Sequence, residues 1–211
     1  VVDIDIKGFF DNVNHAKLKK QMWNMGIQDK NLICIIGKIL KSEIKGIGVQ
    51  TKGTPQGGII SPLLSNIVLN ELDWWISDQW ETFQTEKNYI RYRNEGSNIR
   101  IDNSHKYRAL KKSKLKEMYI VRYADDFKVF CRSYNSAKKI FNATRQWLKE
   151  RLDLEISDEK SKITNLKKNY TEFLGFRMKV KKKNKKYVSQ SHMSKKQIQE
   201  TIRKLKDQIK V

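Results

Sequence analysis

Residues 118–131 read Met118-Tyr119-Ile120-Val121-Arg122-Tyr123-Ala124-Asp125-Asp126-Phe127-Lys128-Val129-Phe130-Cys131. Two apolar runs, Met118 to Val121 and Phe127 to Cys131, flank a tetrad that ends in adjacent carboxylates. The spacing predicts two strands and a hairpin with the acid pair at its tip. Like charges at a tight turn repel, and a fold keeps such a pair where a polyvalent cation neutralises it. The competing reading is an ordinary Asp-rich turn, because Asp is a common turn residue.

A second acidic strand favours the metal. Val2-Asp3-Ile4-Asp5-Ile6 alternates with period two, so its apolar set faces a core while Asp3 and Asp5 share the opposite face, roughly 7 Å apart. Carboxylate ligands without Cys or His at metal spacing suit hard cations such as Mg2+ or Mn2+. His15, His105 and His192 are scattered and read as surface or packing residues.

Between the acidic strands, residues 53–62 form the glycine-rich string GTPQGGIISP. Ser61 and Pro62 read as the cap and first residue of a helix with Leu64, Ile67 and Val68 on its buried stripe. Glycines admit backbone amides close to a nucleotide or template base, and Gln56 offers both a donor and an acceptor. A serviceable turn is the blander reading.

Elsewhere the pattern is α+β. Asn14 and Asp29 read as caps of two helices, the second with Ile33, Ile36 and Leu40 on one face. Residues 46–58 read as a short hairpin before the glycine-rich loop's helix. Ser136 to Leu152 has a helical period leading into a strand at 154–156. Residues 86–105 show no clear period and read as an inserted loop. Phe173–Val180 and Tyr187–Ser189 read as a hairpin. Ser194 to Gln197 reads as a capping box for a helix with Ile198, Ile202, Leu205 and Ile209 on one face.

Forty-four Lys and Arg against 23 Asp and Glu give a net charge of +21, far beyond what solubility requires. A polynucleotide partner accounts for that excess, which runs through 105–116, 179–186 and 195–210. With 38% hydrophobic residues, the chain can bury a core. Cys34 and Cys131 sit in apolar surroundings without metal spacing, which implies reduced, buried thiols and a cytoplasmic setting. No apolar stretch is long enough to cross a bilayer.

Taken in order, the acidic strand, glycine-rich loop and acidic hairpin resemble motifs A, B and C of reverse transcriptases, in wording close to the group II intron-encoded class. The strings are DIKGFFDNVNH (5–15), GTPQGGIISPLLSNIVLNELD (53–73) and RYADDF (122–127). LEISDEKSKI (154–163) resembles motif D, and FLGFRMK (173–179) resembles the motif E primer grip.

The resemblance implies a reverse transcriptase palm, an antiparallel sheet carrying the acidic site and backed by helices. It covers 1–172 with an insertion at about 81–117, followed by a primer-grip hairpin at 173–190 and the start of a thumb helix at 191–211. It implies RNA-directed DNA synthesis with two Mg2+ ions, Mn2+ able to substitute, held by Asp5, Asp125 and Asp126. Lys160 would be the proton donor to pyrophosphate. Phe10 would be the steric gate against a 2′-hydroxyl, with Gln56 and Gly57 at the nucleotide. Tyr123, Phe173, Leu174 and Gly175 would meet primer and template.

The implied partners are group II intron RNA as template, a DNA primer and deoxynucleoside triphosphates. A maturase role in RNA splicing is implied for the parent protein. The fingers elements that precede motif A in the family are expected to lie outside this chain, so that alone it would polymerise poorly. Two other readings are a retron or diversity-generating reverse transcriptase, and an RNA-binding splicing cofactor with a vestigial site.

Overall fold

The computed structural model describes residues 1–44, 48–55, 58–96 and 98–209. The first part of the chain runs β1 (Val2–Ile4), α1 (Phe9–Asn12), α2 (His15–Asn24), α3 (Lys30–Leu40), β2 (Glu43–Ile44), β3 (Gly48–Val49) and α4 (Ser61–Ser77). A second part follows with β4 (Arg91–Glu95), β5 (Asn98–Asp102), α5 (Ser104–Lys112), β6 (Met118–Tyr123), β7 (Asp126–Cys131) and α6 (Tyr134–Trp147). Then come β8 (Lys162–Ile163), β9 (Thr171–Phe173), β10 (Phe176–Lys183), β11 (Lys186–Met193) and α7 (Lys195–Ile209).

Period-two alternation builds the principal sheet. Its order is β6-β7-β1-β8, and β1 pairs antiparallel with β7 through Val2↔Val129, Asp3↔Lys128 and Ile4↔Phe127. Val2, Ile4, Phe127 and Val129 therefore share one face, and all are at most 2% exposed. Helices cover that face. Residues Leu64, Val68, Leu72 and Ile76 recur every four positions along α4 and are buried, while Ile140 and Leu148 bring the α6 segment against the same core. Each such side chain contributes about 1.5–3 kcal/mol on leaving water. Trp75 of α4 stacks on Trp147 at 5.2 Å between ring centroids, tying the two helices together.

The helix starts follow local chemistry. Asn14 Oδ1 accepts from the amides of Ala16 and Lys17, and Asp29 Oδ1 accepts from those of Asn31 and Leu32. Ser194 Oγ accepts from the Gln197 amide at 3.2 Å, although the Gln197 side chain lies against Gly175 instead of closing a capping box.

Several expectations are corrected. Ser61 lies inside α4 behind Ile60, because its hydroxyl donates to the Pro55 carbonyl at 2.6 Å and so does not accept from the helix. Residues 154–156 form no strand beyond an Ile6–Ile156 bridge. The Leu154 amide is committed to the Leu148 carbonyl at the end of the α6 segment, and β8 takes the edge of β1 instead. Residues 86–105 hold the β4–β5 hairpin and the first turn of α5, not a featureless loop. The hairpin before α4 is β2–β3, shorter than expected, and residues 45–47 lie outside the described residues. The Phe173–Val180 segment breaks at Leu174-Gly175, so β9, β10 and β11 form a three-stranded sheet.

Cys34 is exposed on α3, contrary to expectation, because helical rotation turns it away from buried Ile36 and Leu40. Burial pushes the Cys131 thiol up to about 11. A raised thiol pKa leaves the unreactive protonated form dominant at neutral pH. N-ethylmaleimide at pH 7.5 is therefore expected to label Cys34 at least about tenfold faster than Cys131, read by peptide mass mapping. Equal rates would contradict the placement of Cys131.

Candidate active site

Register brings the carboxylates together. β6 and β7 pair Tyr123 with Asp126, leaving Ala124 and Asp125 as a two-residue turn with Ala124 at φ 53. Phe127 and Val129 face the core, so Asp126 and Lys128 point from the other face of β7. The β1–β7 ladder closes at Ile4↔Phe127, and one step further the same register sets Asp5 across from Asp126. Asp5 and Asp125 line one cavity of about 270 Å3 with Phe10, Ser157 and Lys160.

The segment after α6 fixes Asp5. Its amide donates to Ser161 Oγ at 3.1 Å, its carbonyl accepts from the Ser157 amide at 2.8 Å, and Lys160 Nζ stands 3.8 Å from Asp5 Oδ2. Partial burial pushes the Asp126 carboxyl above the ordinary aspartate range. The Lys128 ammonium opposes that rise, while the carboxylates of Asp3, Asp125 and Asp5 add to it.

Among the described residues, no three His, Cys, Asp or Glu side chains close on a common metal point. Asp5 and Asp125 share the cavity and Asp126 stands beside them. The chemistry of this set nonetheless fits a hard divalent cation: every donor is a carboxylate oxygen, and crowding of negative charge is what such an ion relieves.

Phe10 and Phe9 meet edge to face at 5.4 Å, with Phe9 buried in the core and Phe10 half-buried at the cavity. The glycine-rich loop docks onto the same segment. Thr54 donates its amide to the Phe10 carbonyl at 2.7 Å, Gly53 donates to the Val13 carbonyl at 2.7 Å, and buried His15 bonds the Gly53 carbonyl at 2.6 Å. Gly53 sits at φ +93, where a Cβ would come within 3.0 Å of the Phe10 and Asp11 carbonyl oxygens, so no other residue allows this approach. Gln56 and Gly57 lie outside the described residues.

Two groups escaped the sequence reading. Arg122 donates to both Asp73 carboxylate oxygens at 2.6–3.0 Å, to Asn66 Oδ1 at 2.9 Å and to the Ala124 carbonyl at 2.7 Å, clamping the acidic turn to α4. The Arg beside the Ala-Asp-Asp string and the Asn and Asp seven positions apart on α4 were its signal. Asp3 is buried and pairs with Lys128. Its carboxylate also accepts from Thr164 Oγ1 at 3.3 Å and from Thr171 Oγ1 at 3.0 and 3.1 Å. Asp3 thus joins the acidic sheet to β9 and is occupied structurally.

Tyr123 is exposed beside the acidic turn, and Leu174 is exposed at the β9–β10 turn. Lys128 Nζ lies 5.5 Å from the Phe173 ring centre, setting β9 next to the site. Gly175, at φ +78, gives its carbonyl to the Ser194 amide at 2.7 Å, and a Cβ there would stand 3.1 Å from Gln197 Oε1. The close approach it permits is that of α7.

An antiparallel sheet with an acidic hairpin on one face and helices on the other is a polymerase-type palm fold. Residues 1–178 match the family of reverse transcriptases (RNA-dependent DNA polymerases), and the chain belongs to that family. It is 33% identical to the group II intron-encoded protein LtrA of Lactococcus lactis subsp. cremoris, covering 86% of this chain and 35% of that protein. It is 30% identical to protein YkfC of Escherichia coli strain K12, covering 84% and 46% respectively. The chain spans less than half the length of either relative. Apo telomerase from Candida tropicalis shares the fold, with a TM-score of 0.54 and 14% identity over 84% of this chain and 31% of that one. Among the described residues no helix is long and apolar enough to cross a membrane.

Proposed function

We propose that this chain carries the RNA-directed DNA polymerase site of a group II intron-encoded protein. The parent copies intron RNA into DNA and assists splicing as a maturase. The observation that carries this reading is the convergence of Asp5, Asp125, Phe10 and Lys160 on one cavity with Asp126 beside it. The likeness to a group II intron-encoded protein supports the intron class.

Asp5, Asp125 and Asp126 would hold two Mg2+ ions, or Mn2+ in their place. Bound there, such ions would lower the pKa of a primer 3′-hydroxyl, whose proton would pass to solvent, and would offset charge on the triphosphate. The 3′-oxygen forms its bond to the α-phosphorus as the bond to pyrophosphate breaks in line. Lys160, on the cavity wall, donates the proton that the departing pyrophosphate takes up.

Phe10 shapes the sugar subsite, where a ring excludes a 2′-hydroxyl by clash. Its carbonyl accepts from the Thr54 amide, so the sugar subsite and the start of the glycine-rich loop share one support. Residues 1–172 serve as palm, with about 81–117 as its insertion. The 173–190 segment positions the primer through Phe173 and Leu174, and 191–211 begins a thumb.

Primer extension on an RNA template in Mg2+ tests the reading, with these residues carried in a chain of the relatives' length. Deoxynucleotide incorporation is expected. Phe10→Val is expected to raise ribonucleotide incorporation relative to deoxynucleotide about tenfold or more, the value of one well-placed steric contact. A folded, RNA-binding protein that makes no DNA would leave only the splicing-cofactor reading.

A further inference from the structure

A second concentration of cations and aromatic surface lies away from the acidic cavity, between α2 and α3. Lys19 and Trp23, one turn apart on α2, face Lys30, Cys34 and Lys38 of α3 and Lys41 just beyond it, across an open groove of about 670 Å3. From Lys17 to Lys41 the chain carries six lysines and one acid, Asp29, whose carboxylate is used by the amides of Asn31 and Leu32. Among the described residues none of the four groove lysines forms an ion pair. Trp23 remains 39% exposed, although indole is among the most costly surfaces to leave in water.

We propose that this groove binds a single-stranded polynucleotide segment, with a base stacked on Trp23 and phosphates met by Lys19, Lys30, Lys38 and Lys41. A flat ring set among spaced cations matches a strand that presents a base and a phosphate at each step. The lysines satisfy phosphates that would otherwise keep their counterions. Gly37 lines the groove as well. Glycine is a poor helix former, yet it stands inside α3 where a Cβ would meet only Lys19 Cδ, at 4.0 Å. A larger side chain at Gly37 would fill the groove while favouring the helix.

This inference stands on the groove alone and does not require polymerase chemistry. Cys34, exposed on the groove wall, is the reporter. The protein is alkylated with N-ethylmaleimide in the presence of oligouridylate, oligothymidylate or oligoglutamate of about 10 units, a length within known single-strand site sizes. At least one oligonucleotide is expected to slow Cys34 modification several-fold, and the RNA and DNA arms show whether the sugar is read. Protection should weaken as salt rises.

Trp23→Ala is expected to weaken oligonucleotide binding about tenfold, the scale of one lost stacking contact. Gly37→Leu should keep or raise the thermal midpoint while abolishing protection, and Asp125→Ala should retain it. Equal protection by oligoglutamate would reassign the groove to an acidic peptide. Oligonucleotide binding without Cys34 protection, or unchanged in Gly37→Leu, would overturn the proposal.

Discussion

Asp125→Ala is expected to reduce primer extension by at least about a thousandfold while leaving the fold and RNA affinity intact. Asp125 sits in the β6–β7 turn on the cavity shared with Asp5, where it holds no hydrogen bond that supports the hairpin among the described residues. The turn is clamped instead by Arg122 through Asp73, Asn66 and the Ala124 carbonyl. Removing the Asp125 charge therefore costs little stability, within about 0.5 kcal/mol as for ordinary surface changes, and relieves its repulsion with Asp126. On the proposed function, in which Asp125 would hold metal, its loss would remove charge stabilisation worth several kcal/mol in the transition state, and each 1.4 kcal/mol is about tenfold in rate. A thermal midpoint within a few degrees of the native protein, together with near-zero incorporation, is the expected pair of results. Full activity in Asp125→Ala would remove the acidic hairpin from the mechanism, and equal losses of activity and RNA binding would point to misfolding.

The same contrast shows why parts of this protein were legible in its sequence. Asn14, Asp29 and Ser194 are short-range signals, because a cap is decided within three residues, and each side chain accepts from its helix's first turn, although Gln197 does not complete the box at Ser194. The acidic turn was equally local, since the two apolar runs stand only five residues apart, a spacing that a hairpin closes and that puts the acid pair at its tip. Residues 90–102 carried a readable alternation, with Ile90 and Tyr92 on one side of Gly96 and Ile99 and Ile101 on the other. The dense charge between those residues masked its period.

What sequence could not supply was long-range pairing. Lys128 and Thr171 are 125 and 168 residues from Asp3, so nothing near Asp3 announces that its carboxylate is already committed. Asp3 and Asp5 look equivalent in a two-residue repeat. The structure separates them by what covers the face each points from: Thr164, Thr171 and Lys128 close over Asp3, whereas Asp5 opens to the cavity beside Lys160. Cys34 failed for a related reason, because apolar neighbours in sequence are not neighbours on a helix, where each residue turns about 100° from the last.

Asp3→Ala is accordingly expected to destabilise the protein by about 3–5 kcal/mol, the cost of stranding one partner of a buried ion pair. The Lys128 side chain is 5% exposed and that of Asp3 11%, so neither charge can be handed to water without opening the sheet. The two threonine hydroxyls would lose their acceptor as well, each leaving a buried donor unsatisfied. Because whole domains are stable by only about 5–15 kcal/mol, this single change consumes a large share of the margin. It also loosens the attachment of β9, since Thr171 meets the palm sheet through this carboxylate. Lys128, freed from Asp3, would lean toward Asp126, two residues away on the same face, so activity should fall together with stability. Urea denaturation of Asp3→Ala, Asp3→Leu, Lys128→Met and the double variant Asp3→Leu/Lys128→Met separates these effects. Each single change should lower the midpoint sharply, while the double variant should recover much of the loss, because an apolar pair of similar volume carries no stranded charge. Additive losses, or a single variant costing less than about 1 kcal/mol, would show that the pair behaves as an ordinary exposed ion pair and does not bind the two sheets together.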